Sequence, residues 1–131
     1  MSSSDPHGRR ADVELRLPAD SAYVAVLRTT TATLAARLDF TIDDIEDLRI
    51  AVGEASAMVL EHAPEGADLT SCFFTSPGRM TITVSTEVAT PPVPDLDSFA
   101  WQVLTTLATS ADVSSADGRF EVSLTVRSAA L

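Results

Sequence analysis

The side chains able to do chemistry in this 131-residue chain are few and scattered. The two histidines, His7 and His62, stand far apart, and Cys72 is the one cysteine. Zinc centres need Cys and His ligands at short, paired spacings, so no metal site is expected. No Ser-His-Asp or Cys-His spacing suggests a nucleophilic triad. A single cysteine excludes an internal disulfide framework and suits a reducing compartment. Cys72 falls in a strand-like segment and is expected in the core. Asp43, Asp44, Glu46 and Asp47 form a run of acids. It reads as the solvated start of a helix, although the same charges could meet arginines on a protein partner. The net charge is −10, and all nine basic residues are arginine. With no basic stripe, direct nucleic-acid binding is not expected. An acidic surface keeps a protein soluble, and it also steers a basic protein partner.

These residues must be positioned by one ordinary domain. Residues 1–11 read as a disordered polar tail and 12–131 as a single domain. No apolar run approaches the roughly 20 residues that span a bilayer, and no secretory signal opens the chain. A cytoplasmic protein is therefore expected. Val13, Leu15 and Leu17 alternate with Glu14 and Arg16, which predicts a half-buried strand over 12–17, stopped by Pro18. Asp20 or Ser21 can cap a helix running to about Leu38, with Tyr23, Leu27, Thr31 and Leu34 on one side. Thr41, with Asp43 and Asp44 behind it, starts a second helix. Its apolar stripe is Ile45, Leu48, Val52, Ala55 and Val59, and Pro64 and Gly66 close it after His62. There His62 is expected to meet the helix's last carbonyls.

Segments 68–75 and 80–88 are rich in Val, Ile, Thr and Phe, and Ser76-Pro77-Gly78-Arg79 joins them as a hairpin. Pro91, Pro92 and Pro94 make 89–98 a loop. Asp97 or Ser98 can cap a third helix carrying Phe99, Trp101, Val103, Leu104 and Leu107. Phe99 and Trp101 read as core, or as an interface anchor beside the loop. A short strand near 111–114 and the turn Asp117-Gly118 lead into a last strand with Phe120, Val122, Leu124 and Val126. The order β-α-α-β-β-α-β-β predicts an α+β two-layer sandwich, with helices on one face of a mixed, mostly antiparallel sheet.

Three stretches carry a resemblance. They are Val13-Glu14-Leu15-Arg16-Leu17-Pro18-Ala19, then Tyr23-Val24 with Leu27-Arg28, and Ile45-Glu46-Asp47-Leu48-Arg49-Ile50-Ala51-Val52-Gly53-Glu54-Ala55 running on to Glu61-His62-Ala63. Together they are similar to the N-terminal half of RsbW-type anti-sigma factors. Ser98 to Thr105 resembles the third helix of actinobacterial members that hold a sigma-F-like factor. The resemblance implies a Bergerat (histidine-kinase-like ATPase) fold and a homodimer that sequesters an alternative sigma factor. It also implies release by an anti-anti-sigma partner of the STAS type, which many members phosphorylate on serine.

The family's kinase motif is a Glu with an Asn four residues on, one face of one helix. Glu54 occupies the general-base position, but the Asn position is Met58. Magnesium wants hard oxygen ligands and a thioether is soft; the chain has no asparagine at all. The family's Asp-x-Gly-x-Gly motif falls at Ser85-Thr86-Glu87-Val88-Ala89, where Thr86 and Glu87 stand without aspartate or glycine. Its Gly-x-Gly phosphate loop falls where no glycine occurs between Gly78 and Gly118. There prolines lack the N–H, and Asp95 and Asp97 would repel phosphate.

Two functions follow from the resemblance. In the first the chain is a binding protein, with Tyr23, Arg28 and Thr31 on the partner surface, Glu54 a relic, and no cofactor. In the second it is a divergent ATP-dependent protein-serine kinase with Glu54 as base, and only this reading needs ATP and magnesium.

Overall fold

The computed structural model describes residues 9–128. The expected tail up to Gly8, and His7 with it, lies outside the described residues. Strand β1 (Val13–Pro18) is followed by a 3-10 turn (Ser21–Tyr23) and helices α1 (Val24–Arg37) and α2 (Ile42–Leu60). Strands β2 (Asp68–Ser76) and β3 (Arg79–Glu87) come next, then α3 (Phe99–Leu107), β4 (Ser110–Ala116) and β5 (Arg119–Arg127). This is the element order expected from the sequence. The five strands lie in the order β1-β2-β3-β5-β4, and every pairing is antiparallel.

Local chemistry explains the boundaries. The Asp20 carboxylate accepts the Ala22 N–H and opens the 3-10 turn. Helix α1 ends in a Schellman reversal: the Phe40 N–H reaches the Ala35 carbonyl and the Asp39 N–H the Ala36 carbonyl. Asp39 takes the left-handed conformation this requires (φ 60°), which Asp tolerates better than most residues. The Thr41 hydroxyl accepts the Asp44 N–H and starts α2. Asp117 (φ 56°) and Gly118 (φ 72°) are both left-handed, as a two-residue type I′ hairpin demands.

Strand alternation sorts the side chains. Leu69 and Phe73 of β2, Met80, Ile82 and Val84 of β3, and Phe120, Val122, Leu124 and Val126 of β5 face the helices and are buried. Helix α2 crosses β3 and β5, flanked by α1 and α3, and buries Leu48, Val52, Ala55 and Val59 against them. The opposite face of the sheet carries no helix. Cys72 is buried, but the register pairs it with Glu14 and Thr83 on this open face. The sequence led to the expectation of a core residue; Cys72 is indeed buried, but it is not a member of the core cluster under the helices.

Two carboxylates on the sheet have shifted affinities for protons. Asp12 accepts the Thr75 N–H at 2.7 Å, the Thr75 hydroxyl at 3.1 Å and an Arg9 N–H at 2.8 Å. The backbone N–H of Thr75 is the chief reason its carboxyl titrates below the ordinary aspartate range, against a smaller opposing effect of burial. The folded value is depressed, so the stabilisation is present at neutral pH and disappears as pH falls through it. Asp12→Ala should lower stability by about 1 kcal/mol at pH 7. In urea titrations that gap to the parent chain should close in strong acid.

Glu121 lies between Ser85 and Ser114 on the open face. Burial pushes its carboxyl above the ordinary glutamate value, and Arg119 offsets this only partly. The sign is the reverse of that for Asp12. Stability is lost as pH rises from the unfolded value through the folded one. Glu121→Gln should therefore raise the melting temperature at pH 7 and leave it unchanged below pH ~4.

Candidate functional site

Glu54 lies on α2, half-buried, one residue beyond Gly53. It opens into a groove between α1 and α2 lined also by Arg28, Glu46, Arg49, Ile50 and Ala57. Arg28 reaches across this groove from α1. Gly53 makes room for it: a Cβ placed there would stand 2.9 Å from Arg28 Nε and 3.0 Å from one terminal nitrogen. The guanidinium thus turns its Nε edge toward α2 at Gly53. A glycine inside a helix costs about 1 kcal/mol relative to alanine, so it needs a packing reason. Gly53 is the residue that sequence reasoning passed over, and its place in mid-helix was the available signal.

The other positions on α1 divide between its two sides. Tyr23, in the 3-10 turn before α1, is exposed, as are Val26 and, on α2, Ile50, which lines the groove. Thr31 lies on the side away from solvent. It is fully buried, and its hydroxyl donates to the Leu27 carbonyl at 2.8 Å. It seats the helix and presents no polar group outward.

The nucleotide-motif positions do not share one cavity: Thr86 and Glu87 line a cleft at the end of β3, Glu54 lines the α1–α2 groove, and Met58 lines neither. Met58 follows Glu54 by one turn but faces inward and is buried among core residues. Thr86, near the end of β3, is buried, and its hydroxyl donates to the Asp68 carbonyl at 2.9 Å. Glu87 is exposed and lines a cleft with Thr86, Ser85, Glu14, Arg16 and Arg119, away from the α1–α2 groove. Phe120, opposite Thr86 in the register, is buried, and the His62 ring packs on it with centroids 4.7 Å apart. The imidazole was expected at the helix carbonyls; instead an aromatic contact holds it, and only its backbone N–H serves the helix end, through Val59.

The loop before α3 is tied by its own groups. The Asp95 carboxylate accepts the Asp97 N–H, and the Ser98 hydroxyl, rather than Asp97, caps α3 by accepting the Trp101 N–H. The Ser115 hydroxyl donates to the Pro92 carbonyl. Trp101 is half-buried against the core, whereas Phe99 is 76% exposed and so is not the core residue its type suggested. Among the described residues no cluster of three His, Cys, Asp or Glu side chains is placed to hold a metal. No described helix is long and apolar enough to cross a membrane.

No protein-family model matches the chain. A serine-protein kinase RsbW of Halalkalibacterium halodurans is 43% identical over 74 residues, 56% of this chain and 46% of that protein. The same protein from Bacillus thuringiensis is 45% identical over 51 residues, 39% of this chain and 32% of that protein. The matched region thus spans less than half the length of these curated relatives. Among solved structures, a Mycobacterium tuberculosis chain with RsbU and RsbW domains superposes with a TM-score of 0.70. That superposition covers 92% of this chain and 34% of the other at 16% identity, a likeness of fold. Local sequence identity and overall fold agree: the chain is similar in sequence to part of these RsbW proteins and in fold to a chain that holds an RsbW domain.

Proposed function

We propose that the chain is a cytoplasmic anti-sigma factor that binds and sequesters an alternative sigma factor of the sigma-F or sigma-B kind. In this reading it works as a homodimer and releases the sigma factor when a STAS-type anti-anti-sigma protein competes for it. It does so without nucleotide. The observation that carries this reading is the fate of the kinase positions. Met58 is buried in the core, Thr86 and Glu87 line a cleft separate from the groove that holds Glu54, and the phosphate loop is built of prolines and acids. A magnesium ion would find a thioether where it needs an oxygen. The groove of Arg28 and Glu54 remains open and, with the exposed Tyr23, is the proposed contact surface. Arginine suits such a role because its planar fork pairs with carboxylates even when water is excluded.

Size exclusion with mass detection, on a mixture with a sigma-F-like factor and no nucleotide, tests this directly. A complex that forms without Mg-ATP supports the reading. A complex that appears only when Mg-ATP is added contradicts it.

One observation favours a second reading, an active protein-serine kinase. The sequence relatives bear that name, and Glu54 keeps the position of the general base, half-exposed on its helix. Incubation with labelled ATP and an anti-anti-sigma protein separates the two. Transfer that vanishes in Glu54→Ala establishes the kinase; no transfer, with sigma binding intact, leaves the binding protein.

A further inference from the structure

One end of the molecule carries features that neither reading uses. The loop between β3 and α3 holds three large apolar side chains in solvent: Val93 is 89% exposed, Leu96 53% and Phe99 76%. Burial of such side chains is normally favourable, so three of them exposed within seven residues call for a partner. The loop is not slack. Pro91, Pro92 and Pro94 restrict its backbone. The Ser115–Pro92 and Asp97–Asp95 bonds fasten it, and the Val88 N–H ties its root to the Gly118 carbonyl at 2.9 Å. A ridge ordered in advance loses little entropy on binding.

Charge identifies the partner. The antiparallel topology brings the end of α2, the end of β3, the loop and the β4–β5 turn to the same end of the domain. Exposed acids stand at the same end: Glu61, Glu65, Asp95, Asp97 and Asp117. The nearby cations Arg16 and Arg119 lie with Glu87 in the cleft on the open side of the sheet. A second copy of this chain would bring acid to acid, and its net charge of −10 opposes that. An anionic membrane is repelled for the same reason. A protein segment with apolar residues on one side and arginines or lysines on the other satisfies both ridge and acids.

We propose that the ridge of Val93, Leu96 and Phe99, with the acids at the same end, is a docking site for a basic amphipathic segment of a partner protein. It is separate from the α1–α2 groove and does not depend on the partner proposed for that groove. The helix start at Ser98 places Phe99 at the centre of the ridge, where aromatic anchors concentrate binding energy.

The test uses the whole chain and a labelled synthetic amphipathic helix, leucines on one side and arginines on the other, followed by fluorescence anisotropy. Binding to the parent chain is expected, weakened about tenfold or more in Leu96→Asp/Phe99→Asp. In Asp95→Asn/Asp97→Asn, binding should weaken severalfold and depend less on salt. All these side chains are exposed, and circular dichroism checks that the variants fold. Amide shift mapping on the unmutated chain gives an independent readout, with changes expected over 92–99. Equal affinity for all variants, or shifts centred on α1 and α2, overturns the proposal. So does binding to phosphatidylglycerol vesicles that Phe99→Asp abolishes, or a dimer that Phe99→Asp splits.

Discussion

Arg28→Glu should cut affinity for the proposed sigma-factor partner about thirtyfold while the domain stays folded, the loss typical of a central interface arginine. The two halves of this expectation have separate causes. Arg28 is exposed, and its side chain makes no hydrogen bond that the fold depends on; its contact is with the bare backbone of Gly53. Reversing its charge therefore removes little from the folded state. At a desolvated interface, by contrast, a carboxylate facing carboxylates both loses the pair and adds repulsion. Gly53→Ala separates position from charge. The new Cβ would collide with the guanidinium, whose flexible end can swing away, while alanine favours the helix by about 1 kcal/mol. The expected result is a chain that melts higher and binds more weakly, an outcome that a purely structural role for Arg28 does not produce. Isothermal titration calorimetry with both variants decides it: unchanged affinity in Arg28→Glu removes the groove from the binding surface.

Arg28 is exposed, but its seat against Gly53 depends on a residue of another helix and is not written in its neighbours. Caps and turns are written in neighbouring residues. Pro18, Thr41, Ser98 and Asp117-Gly118 ended or began elements close to where their side chains predicted. Each acts on backbone groups within a few positions of itself. Facing is harder to read. Cys72, Phe73 and Phe74 are all buried, so the run has no alternation to tell inside from outside. Only the pairing of Cys72 with Glu14, far away in the sequence, puts it on the open face. Thr31 sits at helical spacing from Leu27 and Ala35, and that pattern alone places it inward; the family resemblance had pulled the reading toward the surface. Phe99 and His62 are side chains at element ends. Their surroundings come from the proline loop and from Phe120, neither of which the local pattern can supply.

Phe120→Ala should be the most damaging single change at the proposed relic of the nucleotide site, costing about 3–5 kcal/mol. Phe120 is 1% exposed and lies beside Thr86 on the core face, with the His62 ring against it. Truncation removes apolar contacts from the fully enclosed side of β5 and leaves a cavity that the paired strands cannot close by moving. Against a total stability of about 5–15 kcal/mol, this is a large fraction, visible as a marked drop in the urea midpoint. The variant also bears on function, because it empties space next to the strand where the family's adenine motif would stand. If packing were all that excluded nucleotide, the hollowed variant would gain affinity, and saturating Mg-ATP would raise its stability by mass action. No such gain is expected. The ligands are wrong as well as the space: Met58 offers sulfur to magnesium, and the loop that should cradle phosphate offers Asp95, Asp97 and prolines. Melting curves of Phe120→Ala with and without millimolar Mg-ATP should therefore overlay. A shift of several degrees would mean that a nucleotide site survives beneath the packing, and would turn the balance toward the kinase.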